Sequence, residues 1–167
     1  DRWFHDKELV MSLPVHATFG KEDTSTFKNM IASANVVVGS DIQFCRLLNM
    51  DNKRPISSES MEQVVDYIQG EFKKHVLQDN DKPLPQEQVA FITRAGEPSL
   101  LITENEVKEV PVYDLNSPQN FVGEGTAATS GFLAGYVNGL AHEQSAKLAM
   151  ALSIEKIQQT ELLAHLE

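Results

Sequence analysis

Short apolar runs alternate with longer amphipathic stretches along most of this chain. Three runs, at residues 8–13, 35–39 and 88–93, have the length and composition of buried strands. The second run is rich in valine and closes on Gly39, which is typical of an interior parallel strand. Residues 99–103 and 106–113 predict a hairpin, with Glu104 and Asn105 at its turn.

Helices are predicted where apolar residues recur three or four positions apart. The clearest stripe follows Ser57 or Ser58, either of which can cap the helix, and comprises Met61, Val64, Val65, Ile68, Phe72 and Val76. Further helices are predicted over residues 21–32, 42–49, 126–138 and 143–159. Strands that alternate with helices imply an α/β fold with a mostly parallel sheet covered on both faces.

Length and charge narrow the classes of function. A chain of 167 residues fits one compact domain, and we expect a single α/β domain over residues 1–167. The formal net charge of −10 disfavours direct nucleic-acid binding, which depends on cationic side chains. We expect no membrane span, because no apolar stretch reaches about 18 residues. Without a signal-peptide pattern at its start, the chain is expected to be intracellular, in the cytoplasm or an organelle matrix.

Cysteine and histidine offer little chemistry. Cys45 is the single cysteine, which excludes an internal disulfide and a cysteine-based metal site. It lies beside the apolar face of its predicted helix, so we expect it to be buried and inert. None of the five histidines has the spacing of a metal pair. We therefore predict no metal site.

A glycine pair is the strongest candidate for a binding site. Gly123 and Gly125 flank Glu124 just before a predicted helix, where exposed N–H groups and the positive end of the helix dipole can bind an anion. The segment is not a P-loop, because the Gly-Lys-Ser/Thr ending is missing, and it lacks the third glycine of a dinucleotide fingerprint. A plain helix start with permissive residues explains the pattern equally well.

The surrounding residues resemble a known signature. Residues 120–133 resemble the D-T-x-G-A-G-D-x-F motif, and the small residues and F-L after it, of the ribokinase-type (PfkB) carbohydrate and nucleoside kinases. Residues 11–14 are similar to the L-S-A-P strand end of adenosine kinases. Residues 36–43 stand where this family has a strand and G-N-E-x-E, and residues 90–95 where it has a strand and T-x-G. The resemblance implies a ribokinase-like three-layer sandwich, of which this chain is about the C-terminal half.

The resemblance also implies roles for particular positions. The glycine loop would hold phosphate, with Gly123, Glu124 and Gly125 as candidates, and Thr126 occupies the position of the catalytic base. Ser40 and Gln43 occupy the positions of the N-x-x-E motif that organises magnesium and phosphate. Thr93 and Ala95 occupy the T-x-G turn that approaches the nucleotide, with Gly96 following.

The chain departs from the family at most of these points. Thr126 cannot accept a proton at neutral pH, and the charge of Glu124 would repel a γ-phosphate. Ser40 and Gln43 lack the carboxylate of the magnesium motif. General base catalysis contributes about 10²- to 10⁴-fold, and phosphoryl transfer depends mostly on metal and electrostatic positioning. We therefore assign no catalytic residue.

Three functions follow as hypotheses. The first is a catalytically degenerate adenosine-kinase-like protein that serves as a structural or interaction subunit of a larger assembly, with protein partners. The second is an active adenosine kinase that uses ATP and magnesium to phosphorylate a nucleoside 5′-hydroxyl, with Glu124 or Asp41 as a displaced base. The third is a regulatory module that binds a nucleotide without turnover. ATP and magnesium are expected as cofactors if the chain is an active kinase. No cofactor is predicted for a degenerate subunit.

Overall fold

The computed structural model describes residues 10–13, 21–53, 55–78, 87–112 and 123–164. These segments contain five strands and five helices. In chain order they are β1 (Val10–Ser12), α1 (Lys21–Ser33), β2 (Val36–Ser40), α2 (Asp41–Leu47), α3 (Ser58–Gln78), β3 (Val89–Thr93), β4 (Ser99–Ile102), β5 (Val107–Val110), α4 (Glu124–Val137) and α5 (His142–Ala164). Each element coincides with a predicted one to within a few residues. Predicted features at residues 8–9, 79–85 and 113–122 lie outside the described segments.

The strands form a sheet whose spatial order follows their order along the chain, from β1 to β5. β1 and β2 are parallel, with Val10 opposite Val36 and Ser12 opposite Val38. A tight turn joins β4 to β5, where the Thr103 amide donates to the Glu106 carbonyl at 2.9 Å. The α/β prediction is confirmed. The sheet is mixed, because so short a turn can connect only antiparallel strands.

The described elements group into two compact units. The first contains β1, α1, β2, α2, α3 and most of β3, and the second contains most of β4 and β5 with α4 and α5. None of the helices among the described residues combines the length and the apolar character that a membrane span requires.

The first unit has its core where the sequence pattern places it. The predicted stripe of α3 is buried at Met61, Val64, Ile68 and Phe72. The valines of β2 are fully buried, as expected for a strand covered on both faces. Ser57 caps α3, since its hydroxyl accepts a hydrogen bond from the Ser60 amide at 3.1 Å.

A buried glutamine connects the end of α1 to the start of β3 through hydrogen bonds. Gln88 is only 6% exposed, and its side-chain amide donates to the carbonyls of Ala32 at 3.0 Å and Ala34 at 2.8 Å. The last carbonyls of a helix have no partner within the helix. The Gln88 side chain supplies one, so this junction is closed by hydrogen bonds and not by packing alone.

In the second unit, α4 and α5 form a helical hairpin that depends on small residues. A Cβ added at Gly131 would lie 2.7 Å from the Ala149 Cα, and one at Gly135 would lie 2.9 Å from the Ser145 Cα. The turn is a Schellman motif: Leu140 donates to the Gly135 carbonyl at 3.0 Å, and Gly139 has a φ of 77°. The two helices therefore approach too closely for side chains at these glycines.

We predict opposite effects for two glycine-to-alanine changes inside helices. Gly131→Ala forces the new methyl group onto the α5 backbone and should lower the free energy of unfolding by about 1–3 kcal/mol. Gly70→Ala, in α3, has no atom within 4 Å of the new methyl group and should raise it by about 1 kcal/mol. Denaturant titration measures both. Equal effects from the two variants would contradict the close approach of α4 and α5.

Candidate functional site

The glycine pair lies at the start of α4, but in a different setting from the one predicted. The helix begins at Glu124, two residues before the predicted start, so Glu124 and Gly125 belong to its first turn and not to a preceding loop. Gly123 is the N-cap residue, with a φ of 88°. Of the two glycines, Gly123 alone has the left-handed backbone conformation that favours glycine. Gly125 is helical, and nothing lies within 4 Å of where its side chain would be.

The first turn of α4 has the positive potential of a helix N-terminus, and it contains an acidic residue, Glu124. The leading N–H groups of a helix have no acceptor inside it and carry the positive end of the dipole. Glu124 is half-buried in that turn, where the dipole stabilises its negative charge. Thr126 is exposed and offers a hydroxyl, which is not ionised at neutral pH.

A lysine from α5 lies against the same turn. The Cε atom of Lys156 would be 3.4 Å from a Cβ added at Gly123. The second unit therefore places a cationic side chain beside the start of α4, which sequence reasoning did not identify. Its spacing from Gly123 along the chain gives no signal, because the contact depends on how the two helices pack.

Ser40 and Gln43 are brought together as a capping box at the start of α2. The Ser40 hydroxyl accepts a hydrogen bond from the backbone amide of Gln43 at 3.4 Å, and the side-chain Oε1 of Gln43 accepts one from the backbone amide of Ser40 at 2.6 Å. The pattern S-x-x-Q is a sequence signal for this arrangement. The two positions that the resemblance assigns to a magnesium motif therefore form the start of a helix in this chain.

The nitrogen of the Gln43 side-chain amide also makes a hydrogen bond. Its Nε2 donates to the Leu13 carbonyl at 2.7 Å, just beyond β1. The orientation of the amide follows from its partners, because only the oxygen can accept from Ser40 and only the nitrogen can donate to Leu13. Gln43 is 7% exposed. A carboxylate in its place would face a carbonyl oxygen with no proton between them.

Gly39 allows this junction to close. A Cβ at Gly39 would lie 2.9 Å from Leu13 Cδ1, 3.0 Å from Phe44 Cε2 and 3.3 Å from Gln43 Oε1. There is no space for a side chain, so the glycine that ends the predicted strand is required for packing.

The acid next to this box is also held by the protein. Asp41 is 5% exposed, and its Oδ1 accepts a hydrogen bond from the Ile42 amide at 2.7 Å. Burial raises the pKa of the Cys45 thiol, and the carboxylates of Asp41 and Asp51 raise it further. The thiol is fully buried, as predicted, and stays protonated at neutral pH.

The T-x-G positions form the turn that follows β3. Thr93 is the half-buried last residue of β3, and Ala95 is exposed in the turn. Gly96, with a φ of 74°, is the residue that needs a glycine, so the permissive position is shifted by one. Arg94 contacts its own turn, through an ion pair with Glu97 and a hydrogen bond to the Pro98 carbonyl at 3.4 Å.

The predicted site residues fall in both units. Ser40 and Gln43 lie in the first and are directly hydrogen-bonded. Thr93, Ala95 and the residues from Gly123 to Thr126 lie in the second. Across the described segments, no group of three His, Cys, Asp or Glu side chains is arranged to hold a metal ion.

Solved structures of nucleoside and sugar kinases are similar to this chain. Adenosine kinase from Sinorhizobium meliloti superposes with a TM-score of 0.66 at 18% identity, covering 90% of this chain and 39% of its own. Ligand-free adenosine kinase from Trypanosoma brucei brucei gives 0.63 at 20% identity, covering 90% and 43%. A probable sugar kinase from Rhizobium etli gives 0.63 at 18% identity, covering 90% and 39%. No protein-family model and no curated protein sequence matches the chain.

At these identities the likeness establishes the fold. The chain has a partial adenosine-kinase-like fold of the ribokinase type, as the motif resemblance predicted. It spans about two fifths of the length of the kinases that it matches. Activity, substrates and partners remain to be inferred from the residues themselves.

A glutamate at position 43, which the motif resemblance would place there, should lower the stability of the fold. Gln43→Glu loses the hydrogen bond to Leu13 and buries a charge against its carbonyl, so we expect the free energy of unfolding at pH 7 to fall by about 1–3 kcal/mol. Gln63→Glu makes the same chemical change at an exposed position of α3 and should change it by less than about 0.5 kcal/mol.

The pH dependence of that loss provides a second test. A protonated glutamic acid again has a donor for the Leu13 carbonyl and an acceptor for the Ser40 amide. The folded state therefore favours the protonated form, and the deficit of Gln43→Glu should shrink as pH falls towards 4. A deficit that stays constant from pH 7 to pH 4, or one equal to that of Gln63→Glu, would contradict the role assigned to Gln43.

The two glycines at the start of α4 should differ in what they tolerate. Gly123→Ala puts a side chain on a left-handed residue and should lower the free energy of unfolding by about 1–2 kcal/mol. Gly125→Ala meets no neighbour and should leave it unchanged or raise it by up to about 1 kcal/mol. Thermal or denaturant unfolding distinguishes them. A larger loss from Gly125→Ala would show that the helix does not begin at Glu124.

Proposed function

We propose that this chain is a catalytically degenerate adenosine-kinase-like domain whose role is structural, as an interaction subunit of a larger assembly. The observation that carries the proposal is the state of Gln43. Its side-chain oxygen and nitrogen both bind the protein's own backbone, at Ser40 and Leu13. Where the kinase motif has a metal-organising acid, this chain has a neutral, buried side chain that joins secondary-structure elements.

The start of α4 supports the same proposal. Thr126 at the base position offers only a hydroxyl, and Glu124 puts a negative charge where a phosphoryl group would need positive potential. The packing of the fold is retained while its reactive polar positions are replaced or engaged in structural contacts.

The decisive measurement is phosphoryl transfer by the full natural protein. With ATP, magnesium and adenosine, we expect formation of adenosine 5′-phosphate to lie at least about 10²-fold below the ~1–100 s⁻¹ typical of kinases. An active adenosine kinase in the same assay is the positive control. Turnover within that ordinary range would refute the proposal. A large gain from no activity in Thr126→Asp would support it, because only a missing base can be restored.

An active kinase with a displaced base is the second candidate, and Glu124 is the residue that favours it. Its carboxylate lies in the first turn of α4, two positions before Thr126. Helix geometry argues against Glu124 as a replacement for a base at position 126. Two residues correspond to a rotation of roughly 200° about the helix axis, so the two side chains leave the helix in nearly opposite directions. Asp41 is a poorer replacement, because it is buried and already accepts a hydrogen bond from Ile42.

This second candidate predicts a specific variant effect. If the natural protein phosphorylates adenosine with Glu124 as its base, Glu124→Gln should lower kcat by about 10²- to 10⁴-fold without a comparable change in KM. Thr126→Asp should then alter the rate only modestly. Glu143→Gln, an exposed acid in the first turn of α5, is the matched control and should leave the rate unchanged. Activity that survives Glu124→Gln would exclude Glu124 as the base.

A further inference from the structure

We draw no further inference here: the strongest candidate, the exposed apolar tip of the α4–α5 hairpin at Val137 and Leu140, carries nothing because nothing in the part of the chain that the structure describes shows what covers it.

Discussion

The hydrogen bonds of the Gln43 side chain hold together the end of β1, the end of β2 and the start of α2. The Leu13 amide still donates to the Val38 carbonyl at 3.0 Å, as a strand residue would, while the Leu13 carbonyl accepts from Gln43. The amide of Ser40, the last residue of β2, donates to the Gln43 side chain, and the Gln43 side chain in turn is the donor to the Leu13 carbonyl. A buried carbonyl without a donor costs about 1–3 kcal/mol, so this junction depends on an amide at position 43.

That dependence links the architecture to the chemistry that the domain can perform. An amide can donate and accept at once, whereas an ionised carboxylate can only accept. A glutamine at position 43 can therefore donate a hydrogen bond to the Leu13 carbonyl, and an ionised glutamate there would carry a negative charge, but no single side chain does both.

Periodicity predicted the elements of the fold because they are local in sequence. The stripe of α3 and the valines of β2 are buried as their spacing indicates. Two features of the site escaped prediction for physical reasons. The Leu13 partner of Gln43 lies 30 residues away, which no local pattern reveals. The helix start at Glu124 follows a glycine N-cap, which has no side chain and so leaves no capping signal in the sequence, whereas the S-x-x-Q pattern at Ser40 is such a signal.

The retained glycines can be explained without a ligand. Gly123 is needed because the chain turns into α4 through a left-handed residue, and Gly96 because the turn after β3 does the same. Gly39 is needed for packing. A fold under selection for stability alone would keep all three, so their presence is evidence for the fold and not for phosphate binding. The informative positions are those where backbone contacts and phosphoryl-transfer chemistry favour different residues, and the residue at position 43 is the one that hydrogen-bonds this chain's own backbone.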